Sequence, residues 1–198
     1  MANSSTAQRR RGDTRQRIQD VALELFVEQG YEKTSLREIA ERLEVTKAAL
    51  YYHFKTKEDI IVSVFADLTR PVDELIAWAQ GQPPTLDTKR EVLRRYSESM
   101  GAGAGAGARL FRFIQENQAT MRDLSIGETM QSRTFRLVEL LRTKDGPLTD
   151  QVRCVSALFT LHAGLMYLQH VEGDPEETRL AALESATDLI TQAHRLAA

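Results

Sequence analysis

Apolar residues return every three or four positions through most of this chain, a spacing that predicts helices. Ile18, Val21, Ala22, Leu25 and Phe26 form one stripe over residues 14–29, and Gly30 follows as a stop. Ser35-Leu36-Arg37-Glu38 reads as a capping box, in which hydroxyl and carboxylate satisfy the unpaired N–H groups at a helix start. The short helix it opens has Leu36, Ile39, Ala40 and Leu43 on one face. Thr46 can cap a third short helix that reaches about Phe54. Thr56-Lys57-Glu58-Asp59 then opens a long fourth helix ending at Gln80, with Pro71 expected to kink or divide it.

Gly81-Gln82-Pro83-Pro84 is a break, after which Thr88 with Glu91 is expected to start a helix running to about Met100. Residues 101–108 alternate Gly and Ala; each glycine costs roughly 1 kcal/mol relative to alanine in a helix, so a mobile connection is expected there. A short apolar-aromatic helix over 109–117 and a longer one over 120–143 come next, and Asp145-Gly146-Pro147 turns the chain. Residues 149–170 predict a strongly apolar helix. Asp174-Pro175-Glu176-Glu177 supplies a cap, a first-turn proline and early acids for the last one, which ends near Arg195. No alternating strand pattern competes. The expected fold is all-α, with about nine helices.

Composition narrows the function. With 198 residues, 42 % of them hydrophobic, the chain has enough apolar material for a sizeable core. One cysteine permits no internal disulfide, and no Cys/His cluster has zinc-ligand spacing, so neither metal nor cofactor is expected. No apolar run is long enough to span a membrane, and the first seventeen residues lack a signal-like apolar stretch. A soluble, cytoplasmic protein is expected. The net charge of −2 hides an asymmetry: residues 1–57 carry eleven Lys/Arg against eight Asp/Glu, while the other 141 residues hold fifteen against twenty. A basic end on an acidic body suits a polyanion met at one end, although a solvated surface has the same signature.

Helices two and three are joined by only Glu44-Val45, too few residues for two packed helices to lie antiparallel. A sharp crossing is the geometry of a helix-turn-helix, whose second helix offers its N-terminal residues to the major groove. Leu50 and Phe54, four apart, can anchor that helix in a core, leaving Lys47, Tyr51 and Tyr52 to project elsewhere. Lys47 can donate to guanine O6 and N7, and Ala48 permits close approach or contact with a thymine methyl. Tyr51, Tyr52, His53, Lys55 and Lys57 can reach phosphates, Thr46 belongs to the same DNA-binding set, and Ser35 and Arg37 are placed for the opposite strand's backbone. An Arg9-Arg10-Arg11 arm, expected to be mobile, can add nonspecific or minor-groove contacts.

Thr14–Ile60 resembles the DNA-binding domain of the tetracycline-repressor (TetR) family of bacterial transcriptional regulators. The resemblance runs through Ala22-Leu23-Glu24-Leu25-Phe26, Gly30-Tyr31, Thr34 to Ala40, Val45-Thr46-Lys47 and Leu50 to Lys57, about a quarter of the chain. Where the family often has glycine in the turn and early in the recognition helix, Glu44 and Ala48 stand here. A non-Gly residue in a left-handed turn costs on the order of 1 kcal/mol, which leaves room for a slightly different turn. The resemblance implies an arm and helix-turn-helix domain at 1–57 and an effector-binding and dimerisation domain at 58–198. It further implies a repressor that binds a palindromic operator as a homodimer through its last two helices and is released by a small molecule.

The residues themselves agree on pairing. One head offers about five or six phosphate contacts and one reading lysine, too little for tight binding at physiological salt. The last two helices are apolar over a wide arc, so Val155, Leu158, Phe159, Leu183, Leu189 and Ile190 are candidates for a dimer interface, with an extra intrachain layer as the competing reading. Trp78, Tyr96, Phe111, Phe135, His162 and Met166 are candidates for a mostly apolar effector cavity, among side chains that are otherwise ordinary core. His162 and His170 lie eight apart with no carboxylate or cysteine at ligand spacing, which favours packing over metal binding, and Cys154 on its apolar helix reads as a structural thiol. No catalytic constellation appears. The alternative to a DNA-binding regulator is an all-α small-molecule-binding protein or enzyme whose basic head is incidental.

Overall fold

The computed structural model describes residues 3–101, 113, 116–117, 124, 126–142, 146–166 and 174–195, with the backbone alone for 3–12, 100–101, 164–166 and 195. Eight helices lie among them: α1 (Asn3–Gln29), α2 (Leu36–Arg42), α3 (Lys47–His53), α4 (Lys57–Gln80), α5 (Leu86–Gly101), α6 (Ile126–Leu141), α7 (Leu148–Met166) and α8 (Pro175–Arg195). No strand occurs among the described residues. The Gly-Ala run from 102 to 108 and most of the helix expected at 109–117, Phe111 included, lie outside them.

The chain divides into two compact units, one of Met1–Thr69 with Gly105–Gly127 and the other of Arg70–Ala104 with Glu128–Ala198. In the first, Ile18, Ala22 and Phe26 of α1 meet Ile39, Ala40 and Leu43, then Leu50 and Phe54, and finally Ile60, Ile61, Val64 and Phe65 of α4. Phe113 closes this core, its ring 5.8 Å from Phe26 and 5.6 Å from Tyr31. A buried polar tie crosses the same unit, where the Gln19 amide donates to Ser63 Oγ at 2.9 Å and to Asp67 Oδ2 at 2.7 Å. In the second unit, α8 packs along α7 and against α5 over a core that includes Ile76, Leu93, Leu137, Leu141, Leu158, Leu161, Ala186 and Ile190. The Arg179 guanidinium donates to Ser97 Oγ, and the Asp73 carboxylate takes both arms of Arg133 at 2.9 and 2.7 Å.

Several helix boundaries depart from expectation. α1 starts at Asn3 rather than near Thr14, so Arg9, Arg10 and Arg11 lie on a helix and not on a mobile arm. Ala7 to Arg11 are good helix formers, and one interior glycine, Gly12, does not outweigh them. Pro71 does not divide α4, which is continuous through it to Gln80. The cap of α5 is Thr85 rather than Thr88: the Thr88 amide donates to Thr85 Oγ1 at 3.2 Å and the Lys89 amide to the Thr85 carbonyl at 3.1 Å. The caps at Ser35, Thr46 and Asp174 are where the residue types placed them.

Candidate nucleic-acid interface

Every turn around α3 has an identifiable cause. The capping box at Ser35 is reciprocal: its hydroxyl accepts from the Glu38 amide at 3.2 Å while Glu38 Oε2 takes the Ser35 amide and hydroxyl, each at 2.7 Å. These two donors hold the Glu38 carboxyl below its usual range. α2 ends in a Schellman motif. The Val45 amide reaches back to the Ala40 carbonyl at 3.0 Å and the Glu44 amide to the Glu41 carbonyl at 3.1 Å. Glu44 sits at φ +55°, so the turn keeps its left-handed residue although no glycine is there. Thr46 caps α3 by accepting from the Ala49 amide at 3.2 Å, and Thr56 and Asp59 form a second reciprocal box that opens α4.

These constraints leave α3 with one buried edge and one presented edge. Leu50 and Phe54 are sealed in the core, while Thr46, Lys47, Ala48 and Ala49 are all exposed. Tyr52 is 63 % exposed, Tyr51 and His53 are half-buried, and the Tyr52 and His53 rings meet edge-on at 5.2 Å. The Lys47 ammonium lies 5.4 Å from the Tyr51 ring centroid, one helical turn on, where the ring face favours a cation. The first turn of α3 is therefore an amine, two methyls and a hydroxyl on a firm seat.

Three candidate phosphate contacts are held by the chain itself. The Lys55 ammonium donates to the Tyr51 carbonyl at 2.6 Å, satisfying the open C-terminal end of α3. Lys57 departs furthest from its expected role: its ammonium donates to the Tyr31 carbonyl at 2.7 Å and lies 4.2 Å from the Tyr31 ring centroid. Arg37 pairs with Glu41 at 2.7 Å, although both are well exposed and a guanidinium keeps further donors. Burial and Glu58 push the Tyr31 phenol up, so it remains protonated and donates to Glu58 Oε1 at 2.7 Å. Tyr31 thus braces the start of α4 through its carbonyl and its hydroxyl. Sequence reasoning missed Arg15, whose guanidinium lies 4.5 Å over the Phe54 ring and brings an exposed cation to the C-terminal end of α3. Only the packing of α1 shows it.

The candidate effector residues separate. Tyr96 and His162 meet, the phenol oxygen 2.6 Å from Nε2, and Trp78 packs against the same core with the Arg95 guanidinium 3.9 Å from its ring centroid. Phe135 does not join them: it is 64 % exposed, because Leu137 and Leu141 take the core face of α6 and a residue two positions earlier falls on the opposite side. Phe111 and the Met166 side chain lie outside the described residues. Among the candidate interface residues, Leu158 and Ile190 are fully buried within their own chain and have nothing to offer a partner. Phe159 is 53 % exposed and Val155, Leu183 and Leu189 are partly so, and Val152, at 55 %, continues the stripe. Among the described residues no group of three or more His, Cys, Asp and Glu is placed to hold a metal, and no helix is long and apolar enough to cross a membrane.

The sequence model of bacterial regulatory proteins, tetR family, matches residues 18–64, from the α1 stripe through α3 into α4. The chain is 42 % identical to the HTH-type transcriptional regulator AcrR of Shigella flexneri over 89 residues, which is 44 % of this chain and 41 % of AcrR. It therefore spans less than half the length of that relative. It is 30 % identical over 152 residues to the HTH-type transcriptional repressor KstR of Rhodococcus jostii, covering 75 % of this chain and 68 % of KstR. Its fold is similar to that of a transcriptional regulator from Aquifex aeolicus, with a TM-score of 0.64 and 24 % identity over 86 % of this chain and 96 % of that one. On the family model across the head and the extended match to KstR, the chain belongs to the tetR family of bacterial regulatory proteins.

Proposed function

We propose that this chain is a transcriptional regulator that binds double-stranded operator DNA through α3 and is released from it by a small apolar effector. The observation that carries the reading is the first turn of α3: Thr46, Lys47, Ala48 and Ala49 exposed together on a helix whose other edge is fixed by Leu50 and Phe54. Lys47 reads base edges and Ala48 permits the approach, while Thr46, Tyr51, Tyr52, His53, Lys55 and Arg15 meet phosphates. Ser35 and Arg37 hold the second strand, Lys57 contributes through the brace on Tyr31, and Arg9 to Arg11 supply a basic stretch of α1.

Affinity argues for two heads. Val152, Val155 and Phe159 recur on α7 at the spacing of one face, and with Leu180 and Leu183 of α8 they form the surface we assign to a homodimer, while Leu189 falls on the other flank of α8. Such a dimer reads an inverted repeat whose half-sites lie about one helical turn apart. DNA binding belongs to residues 1–57 and effector binding and pairing to 58–198, in a cytoplasmic protein that acts as a repressor without chemistry of its own. The effector acts by binding the DNA-incompetent state better than the DNA-bound one.

The test is selection of bound fragments from random-sequence DNA by the full chain. Enrichment of an inverted repeat supports the reading, and a pool that stays random at low salt overturns it.

A further inference from the structure

Tyr96 on α5 and His162 on α7 make a short polar contact inside the second unit that involves no charged side chain. The phenol oxygen and Nε2 are 2.6 Å apart and the rings meet edge-on with centroids 5.6 Å apart. Tyr96 is only 7 % exposed; burial pushes its phenol up to about 12 and pushes the His162 imidazole down. At neutral pH both groups are therefore uncharged, and the ring carries a single proton. A proton on Nε2 would leave the phenol hydrogen without an acceptor and Nδ1 without a donor. A phenol donating to Nε2 satisfies both partners and puts the ring proton on Nδ1.

His162 Nδ1 is buried and has no hydrogen-bond partner among the described residues. Around the pair, Leu93, Leu158 and Leu161 belong to the same core, and Phe159 meets the imidazole edge-on at 5.7 Å while half of its own surface faces outward. Lys89, two turns earlier on α5, has its own interaction within the chain. What the site lacks is one neutral acceptor.

We propose that the Tyr96–His162 pair is the polar anchor of the effector site, with His162 Nδ1–H donating to a carbonyl oxygen on an otherwise apolar, uncharged ligand. The inference rests on the effector-responsive reading above and specifies the chemical class it takes. Tyr96 is a positioning residue, because its hydroxyl fixes which ring nitrogen carries the proton.

The full chain with isotope-labelled histidine tests the donor first. Nitrogen NMR at neutral pH, with His162 assigned by its loss in His162→Phe, should show the neutral ring protonated on Nδ1; a proton on Nε2, or on both nitrogens, overturns the proposal. Calorimetric titration with methyl heptyl ketone and with nonane then tests the acceptor. The ketone should bind about tenfold more tightly, as one buried neutral hydrogen bond provides, and His162→Phe should erase the difference. Equal affinity of the wild-type chain for ketone and alkane overturns the proposal. Adding selected DNA separates the two levels. Release by ketone and alkane alike sinks the anchor and spares the effector reading, whereas ketone preference without any effect on DNA affinity spares the anchor and sinks that reading.

Discussion

Glu44 is the residue at which local preference and fold disagree most plainly. Its φ of +55° costs on the order of 1 kcal/mol for a side chain that bears a Cβ, yet the Schellman pair closing α2 forms around it intact. Glu44→Gly relieves that strain while adding freedom to the unfolded chain, for a net gain of about 0.5 kcal/mol. Glu44→Val, β-branched in the same conformation, should lose at least ~1 kcal/mol. Urea denaturation of the two variants should therefore move the midpoint in opposite directions, and two falling midpoints would show that Glu44 is not strained. The turn was legible in sequence because only Glu44 and Val45 separate the two helices, and its left-handed form follows from the hydrogen bonds that those helices require. The partner of Lys57 was not legible: the Tyr31 carbonyl is 26 residues away in sequence and reaches the lysine only through the packing of α1 on α4. Phe135 was misread for a similar reason. α6 carries apolar residues on two faces, and only the core formed with α4, α5 and α7 selects the face of Leu137 and Leu141.

At the scale of the helix, the caps of α2, α3 and α8 were legible, since a capping hydroxyl or carboxylate acts on N–H groups two or three residues away. Ser35 is the clearest case. Ser35→Ala removes one acceptor from the Glu38 amide and one donor from its carboxylate, and should cost about 1 kcal/mol in thermal denaturation without shifting the α2 boundary. Thr85 and Thr88 carry the same hydroxyl, and the choice of cap between them depends on where the chain leaves the Pro83-Pro84 turn. α5 also carries an acid-sensitive network. The guanidinium groups of Arg94 and Arg95 donate to Glu91 and push its carboxyl down to about 2. A carboxylate depressed on folding adds stability above its unfolded pKa, and loses it as pH falls through the folded value. The contribution of Glu91 should therefore fade between about pH 4.5 and pH 2, and Glu91→Gln should flatten the acid limb of the stability profile in that window. The effect will be small, because solvent screens these partly exposed side chains. A side-chain carbon titration of Glu91 with a midpoint near 4.5 would show that Arg94 and Arg95 do not hold its carboxylate in solution.

At the scale of the molecule, the wide apolar arc of the last two helices was readable in sequence, but the division of that arc was not. Leu158 and Ile190 serve their own core, whereas Val152 and Phe159 remain more than half exposed, and helical periodicity cannot say which face a chain keeps for itself. Phe159→Glu places a charge where a partner is proposed to bury an aromatic ring, so sedimentation should show the mutant as a monomer with its helical content retained. A mutant that sediments with the wild type would move the interface elsewhere. The loss of pairing should also weaken operator binding far more than any single head contact, because the second head then binds as an independent molecule.

The reading of DNA by α3 is best tested by measuring the affinity of the full chain and of Lys47→Ala for a selected operator and for each of its single-base variants, at fixed salt. Lys47→Ala should weaken binding by roughly 1–3 kcal/mol and abolish discrimination at one base position in each half-site, leaving the other positions as sharp as before. An unchanged affinity with an unchanged base profile would show that another surface of this chain reads the DNA.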